Sequence, residues 1–262
     1  MSHVMAKPQK GSVAREARTR RLRVPLVVLS VVACLPSSAA RAQAAPRPLG
    51  GAVDLGYVAA SGNTHTTTFT LGENLTWRAK PRLVVRQKIR SIYGEAAGTV
   101  NANLLDLDLS GDYSLFSGVG VTVSASYDRN RFSGIARRYE QSIGFSWRFT
   151  SASHDSVRFT GGALWTQQRN TSDLKREFVA FRASFAYRHA LGVGAHFQET
   201  MEAIPNIESR KDWRFNSETA LVAPITRKLG LKMSYVMRYA NVPVPTFKTT
   251  DQIVTAGFQV QF

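Results

Sequence analysis

Cysteine is nearly absent. Cys34 is the only one, and no run of 18 apolar residues follows Leu35. The first scarcity excludes a disulfide framework within the chain. The second excludes a helical membrane protein, whose spans need about 20 consecutive apolar residues. Acid is also scarce: 18 Asp and Glu stand against 34 Lys and Arg, for a formal charge of +16. Such a balance often marks a nucleic-acid binder. Here, beyond the amino-terminal region, the charges are spread along the chain and alternate with apolar residues with no dense basic run, so no nucleic-acid partner is expected. Catalytic signatures are missing too, with no G-x-S-x-G, no H-x-x-H and no cysteine pair. Neither an enzyme, a metal site nor a cofactor is therefore expected. Of His65, His154, His189 and His196, three are expected in turns and one on a strand. His196, with Gln198 and Glu202 on the same strand face, is the best candidate for a chemical site. A polar interior residue is the stronger reading of it.

What is present begins with an export pattern. Lys7, Lys10, Arg15, Arg18, Arg20, Arg21 and Arg23 form a basic region, and residues 25–35 form an apolar core too short to span a bilayer as a helix. Small residues follow, and Ala42-Gln43-Ala44 is an A-x-A cleavage site. Residues 1–44 are thus expected to be a Sec-type signal peptide and 45–262 a single mature domain. Two alternatives are an uncleaved anchor and a lipoprotein, since Val31-Val32-Ala33-Cys34 resembles a lipobox. Cleavage after Ala44 removes eight basic residues and one acidic one, leaving +9 and no cysteine.

From Gly50 to Phe262 the hydrophobic period is two. Leu105, Leu107 and Leu109 alternate with Asp106, Asp108 and Ser110. Phe145, Trp147 and Phe149 alternate with Ser146 and Arg148, and Val254, Ala256, Phe258, Val260 and Phe262 share the last face. Strict alternation means one apolar and one polar face per strand. Twelve segments are expected, near 50–61, 66–79, 82–94, 102–114, 119–131, 138–150, 156–168, 176–188, 193–204, 213–223, 229–240 and 249–262. Soluble strands usually have about 5–6 residues, whereas a tilted membrane strand needs about 9–11. Even a mean hydropathy of −0.17 fits, because only alternate residues of a barrel strand meet lipid. The fold class is therefore an all-β transmembrane antiparallel up-and-down barrel of about twelve strands in the outer membrane.

The links alternate as well. Short turns near 79–81, 116–118, 152–154, 189–192 and 224–227 are expected on the periplasmic side. Longer links at 61–65, 95–101, 132–137, 170–175, 207–212 and 241–248 are expected outside. Trp77, Tyr113, Trp147 and Tyr187 precede the short turns. Tyr57, Tyr93, Tyr127, Tyr139, Trp165, Trp213 and Tyr239 lie near the longer links, giving two aromatic belts. A soluble sandwich would place such residues in its core, but on shorter strands. Phe262, an aromatic residue ending an alternating strand, resembles the assembly signal by which such barrels are handed to their assembly machinery. Outer-membrane lipids and lipopolysaccharide are the other expected partners.

Three motifs carry a family resemblance: Ser61-Gly62-Asn63-Thr64-His65-Thr66-Thr67-Thr68, Ile92-Tyr93-Gly94-Glu95, and the stretch 127–135, Tyr-Asp-Arg-Asn-Arg-Phe-Ser-Gly-Ile. Together they resemble the salt-induced outer-membrane protein family of the YdiY type, a domain of unknown function. The resemblance spans nearly the whole mature chain. It implies an outer-membrane barrel and transfers no catalytic or ligand residues.

The polar face holds the informative chemistry. Arg86, Lys88, Arg90, Asp106, Asp108, Asp128, Glu140, Arg148, Arg158, Arg182, Arg188, Glu202, Arg214, Glu218, Lys232 and Arg238 are expected to face the lumen. A basic residue facing hydrocarbon at mid-depth would cost about 2–4 kcal/mol. They either line a polar pore or fill a structural barrel with mutual salt bridges. Glu73 and Glu199 fall on apolar faces, where a bulge or an interface position is expected. The hairpin around 95–101 should have an even index sum of about 194–196, which sets Lys88 opposite Asp106 or Asp108 in a basic–acidic ladder. The leading functional expectation is a structural or stress-response barrel of the envelope. The alternatives are a narrow channel for small hydrophilic solutes and a membrane enzyme.

Overall fold

The computed structural model describes residues 48–60, 66–96, 98–151 and 155–262. Ala42, Ala44 and the motif at 61–65 lie outside the described residues. Each alternating segment forms one strand: β1 (Leu49–Ala60), β2 (Thr66–Lys80), β3 (Leu83–Ala96), β4 (Thr99–Phe116), β5 (Val119–Asn130), β6 (Ile135–Ser151), β7 (Asp155–Asn170), β8 (Lys175–Ala190), β9 (His196–Pro205), β10 (Trp213–Pro224), β11 (Leu229–Ala240) and β12 (Thr250–Gln261). Every strand pairs antiparallel with its chain neighbours, and β1 closes on β12, giving a twelve-stranded barrel. Closure leaves no sheet edge, so backbone polar groups are satisfied within the wall. Phe262 takes part in the seam: its N–H donates to the Gly51 carbonyl and its carbonyl accepts from the Gly51 N–H, both at 3.1 Å. Among the described residues no helix is long and apolar enough to cross a membrane.

The pleat sorts the residues by parity. Away from the register shifts at the strand ends, in β1 to β11 the even-numbered side chains point inward and the odd-numbered ones outward, and in β12 the relation is reversed. The outer wall is apolar, with Leu109, Val123, Ile143, Phe145 and Val254 all exposed. Its rings gather at both ends. Tyr127 packs on Tyr139 at 5.2 Å and Trp213 on Tyr239 at 4.8 Å near one rim. Phe159 packs on Phe185 at 5.1 Å near the other.

Two expectations about connections need correction. The 95–101 link is not long: β3 runs to Ala96 and β4 starts at Thr99, and Gly98 turns the chain at a φ of 75° that favours glycine. The residues near that turn extend the strands instead, with a register shift at Gly94/Glu95. His189 is not in a turn but in β8, on the outer face, its Nδ1 2.7 Å from the Asp155 carboxylate. The longest described links, 206–212 and 241–249, join β9 to β10 and β11 to β12.

Candidate functional site

The parity rule carries all the expected charged residues inward, and the pairs that join β3–β5 to β10 and β11 reach across the lumen rather than along the wall. The β3–β4 register has an index sum of 196, with Lys88 opposite Asp108 and Arg90 opposite Asp106. The register is thus as expected, but the ladder of ion pairs is not. Lys88 donates to Glu218 at 2.7 Å, and Arg90 bonds to the same carboxylate oxygen. Glu218 sits on β10, not on the neighbouring β4. Arg238 of β11 likewise pairs with Asp106 of β4, and with Asp128 of β5 at 3.2 Å.

These partners reveal the barrel's shape. In a twelve-strand ring β5 and β11 are diametrically opposed. With strands about 4.8 Å apart and tilted by about 40°, a round barrel would have a mean diameter of about 24 Å. An extended arginine, an aspartate and one hydrogen bond together bridge at most about 13 Å between Cα atoms. The cross-section must therefore be flattened where β3–β5 face β10–β12. The paired side chains form a septum there. Arg90, Glu218 and Val236 border both a larger cavity of about 490 Å³ toward β4–β10 and a smaller one of about 50 Å³ toward β1 and β2.

The larger lobe has its own network. Glu140 of β6 accepts from Arg214 at 2.6 Å and Arg182 at 3.3 Å, and lies 4.0 Å from Arg138. Arg182 also reaches Glu202 at 2.8 Å, and Asp108 lines the same cavity. In the smaller lobe Lys232 is held by Asp54 at 2.5 Å. Toward the short-turn rim, Arg86 and Arg158 share Asp112, while Arg148 and Arg188 stand beside them on β6 and β8. His196 points inward at the start of β9 with its Nδ1 3.4 Å from the Gly194 carbonyl, and no nucleophile is joined to it. Among the described residues no group of three or more His, Cys, Asp or Glu could hold a metal ion.

Sequence reasoning missed several members of this network: Asp54, Asp112, Arg138 and Arg176, the last 2.6 Å from Asp212. All four lie at even positions of their strands and obey the same parity as the residues that were found, so the signal was there. The two misplaced acids differ from each other. Glu199 lies near the short-turn rim and accepts from the Thr219 hydroxyl at 2.6 Å, an interface position. Glu73 sits on the outer face midway between Phe69 and Trp77, in regular register with Val53 and Ile89, so no bulge accounts for it.

The mouth opposite the short turns is strapped. In the β5–β6 connection Gly134 has a φ of 71°, and a Cβ there would lie 2.6 Å from the Phe247 ring and 2.9 Å from Val244. Phe247 and Val244 belong to the β11–β12 link on the opposite wall. The Ser133 hydroxyl adds a hydrogen bond to Asp251 of β12.

The family described as "Protein of unknown function, DUF481" matches residues 53–262. The uncharacterized protein YdiY of Escherichia coli (strain K12) is 25% identical over 204 residues, covering 76% of this chain and 77% of that protein. An outer membrane channel from Pseudomonas putida F1 superposes with a TM-score of 0.50 at 14% identity, covering 87% of this chain and all of the other. The NanC porin gives a TM-score of 0.46 at 11% identity over 80% of this chain and 97% of its own. At 14% identity the Pseudomonas putida channel speaks for the shared barrel architecture alone.

Proposed function

Since the chain belongs to the DUF481 family of proteins of unknown function and folds as a closed outer-membrane-type barrel, we propose that it is a non-enzymatic structural barrel of the outer membrane, its lumen occluded by its own side chains. The septum carries this reading. Opposite walls joined through Arg238–Asp106, Arg238–Asp128 and Glu218–Lys88 leave no continuous wide path, and the strap at 241–249 narrows the far mouth. Mutual neutralisation of buried charges suits a wall element better than an open pore, whose lining charges would face water. Export through the signal segment cleaved after Ala44 delivers the barrel to the periplasm. Its Phe262 strand presents it to the assembly machinery, and the outer wall then contacts lipid and lipopolysaccharide. A role in the envelope's response to salt or other stress fits a barrel that adds wall without adding leakage.

A narrow channel for small hydrophilic solutes is the second reading, favoured by the polar cavity of about 490 Å³ that reaches the strapped mouth. Planar-bilayer recordings of the refolded protein separate the two. The structural reading expects silence from protein that is folded by gel mobility. Discrete, reproducible conductance steps would establish the channel instead.

A further inference from the structure

The septum is close to charge balance, but the rim at the short-turn end is not. Five inward arginines occupy one belt there: Arg78 on β2, Arg86 on β3, Arg148 on β6, Arg158 on β7 and Arg188 on β8. Each lies two or three positions from its strand's end at that rim. Among the described residues the only inward carboxylate in the belt is Asp112 of β4, which is 1% exposed. Its capacity is already used: one oxygen takes Arg86 and Arg158, the latter at 3.1 Å, and the other takes the Thr122 hydroxyl at 2.5 Å.

The remaining cations are crowded together without compensation. Arg148 and Arg158 are directly opposite each other in the β6–β7 register, an arrangement that is repulsive in a sheet. Arg158, Arg148 and Arg78 all lie close enough to Arg86 to repel it. The Nε of Arg148 is buried with no hydrogen-bond partner among the described residues. No ion pair is formed by Arg78, Arg148 or Arg188 among the described residues, although carboxylates are used freely a few residues deeper in the same barrel. Buried guanidiniums are ordinarily paired or hydrogen-bonded. Here Arg86, Arg148 and Arg158 are partly buried and Arg78 and Arg188 are exposed at the rim, and a wall that gathers these five around one saturated aspartate is built for a negative charge that the chain itself does not supply.

We propose that this belt binds a phosphate-type oxyanion, carried on a small solute or on a lipid headgroup that enters from the short-turn rim. Guanidinium forks match the several oxygens of a phosphate, and chloride offers no such geometry. Deep hydroxyls stand beside the forks: Ser146, 2% exposed, lies two residues from Arg148 on the same face, and Thr160 pairs with it across β6 and β7. An occluded barrel can hold this site as well as a conducting one, so the inference does not depend on the conductance of the lumen.

The test is isothermal titration of the refolded barrel in a neutral detergent at fixed chloride, using inorganic phosphate in one arm and micelles doped with a phosphatidic acid in the other. Saturable binding in either arm supports the site, and the arm that binds more tightly identifies the free or the lipid-borne source. Arg148→Gln and Arg158→Gln should each weaken binding at least tenfold, whereas Lys232→Gln, in the smaller lobe, should leave it unchanged. Arg148→Lys keeps the charge but not the fork and should fall between. Each variant is checked for the folded band on an unboiled gel, and phosphate should slow the heat conversion of wild type but not of the double variant. No saturable binding in either arm overturns the proposal. So does equal displacement by equimolar chloride, or unchanged affinity in folded Arg148→Gln and Arg158→Gln.

Discussion

Removing Arg238 should have a consequence that can be worked out from its two partners. Asp106 has no other ion pair among the described residues, while Asp128 keeps Arg138 at 3.2 Å. Arg238→Gln therefore strands Asp106 in a septum where its side chain is 21% exposed. Breaking a fully buried pair by deleting one partner costs about 3–5 kcal/mol, and the residual water contact here reduces that to about 2 kcal/mol. Asp106→Asn in the Arg238→Gln background removes the stranded charge and should recover about 1 kcal/mol or more. The cycle of these two substitutions should show a coupling of about 1–2 kcal/mol, and the corresponding cycle with Asp128→Asn a smaller one. Urea unfolding in lipid vesicles, followed by the fluorescence of the four tryptophans, reads the difference. Effects that add to within about 0.5 kcal/mol would mean that the two walls are not coupled through this pair.

The strap predicts that Gly134→Ala, with its added Cβ 2.6 Å from the Phe247 ring and its positive φ, costs about 1–2 kcal/mol and speeds proteolysis at Lys248. Where β6 meets β7, a Cβ on Gly162 would lie 2.2 Å from the Ile143 carbonyl, so Gly162→Val should abolish the heat-modifiable folded band on gels. Mass spectrometry of the exported protein should find Ala45 at its amino terminus, and an acylated Cys34 would replace the signal-peptide reading with a lipoprotein. Should recordings reveal a pore, Asp106→Asn with Asp108→Asn should shift its reversal potential toward anion selectivity while leaving folding nearly intact.

Strand number, strand faces and even the β3–β4 register were legible in the sequence, because a period of two commits every side chain to one face. Parity says which face a charge occupies but not which wall it reaches. The index sum sets Lys88 opposite Asp106 or Asp108, because an adjacent strand is the only partner that such a sum can supply. Its observed partner, Glu218, comes within reach only when the barrel flattens, a property of the closed ring and of no single hairpin. Interior apolar residues were overlooked for a related reason. Leu164, Phe178 and Ile204 hold inward positions and pack as a buried cluster on β7–β9, but each interrupts a polar face only once. The turn at Gly98 escaped because small residues such as Ala96 and Thr99 read as a link and yet serve in a strand end. Asp112 and Arg78 followed the parity already in use, and their omission hid the imbalance of the arginine belt.

Flattening is the claim on which the septum, the two lobes and the occluded lumen all rest, and a distance measurement tests it most directly. In the cysteine-free chain that begins at Ala45, spin labels on outward positions would be placed across the short axis at Tyr127→Cys on β5 and Met237→Cys on β11. A second pair would be placed across the long axis at Leu71→Cys on β2 and Phe181→Cys on β8. Both pairs are six strands apart in the ring of twelve. Pulsed electron paramagnetic resonance in lipid should give a β5–β11 separation shorter than the β2–β8 separation by at least about 10 Å, given the perimeter that twelve strands impose. Equal separations would describe a round barrel, which the Arg238 side chain cannot cross.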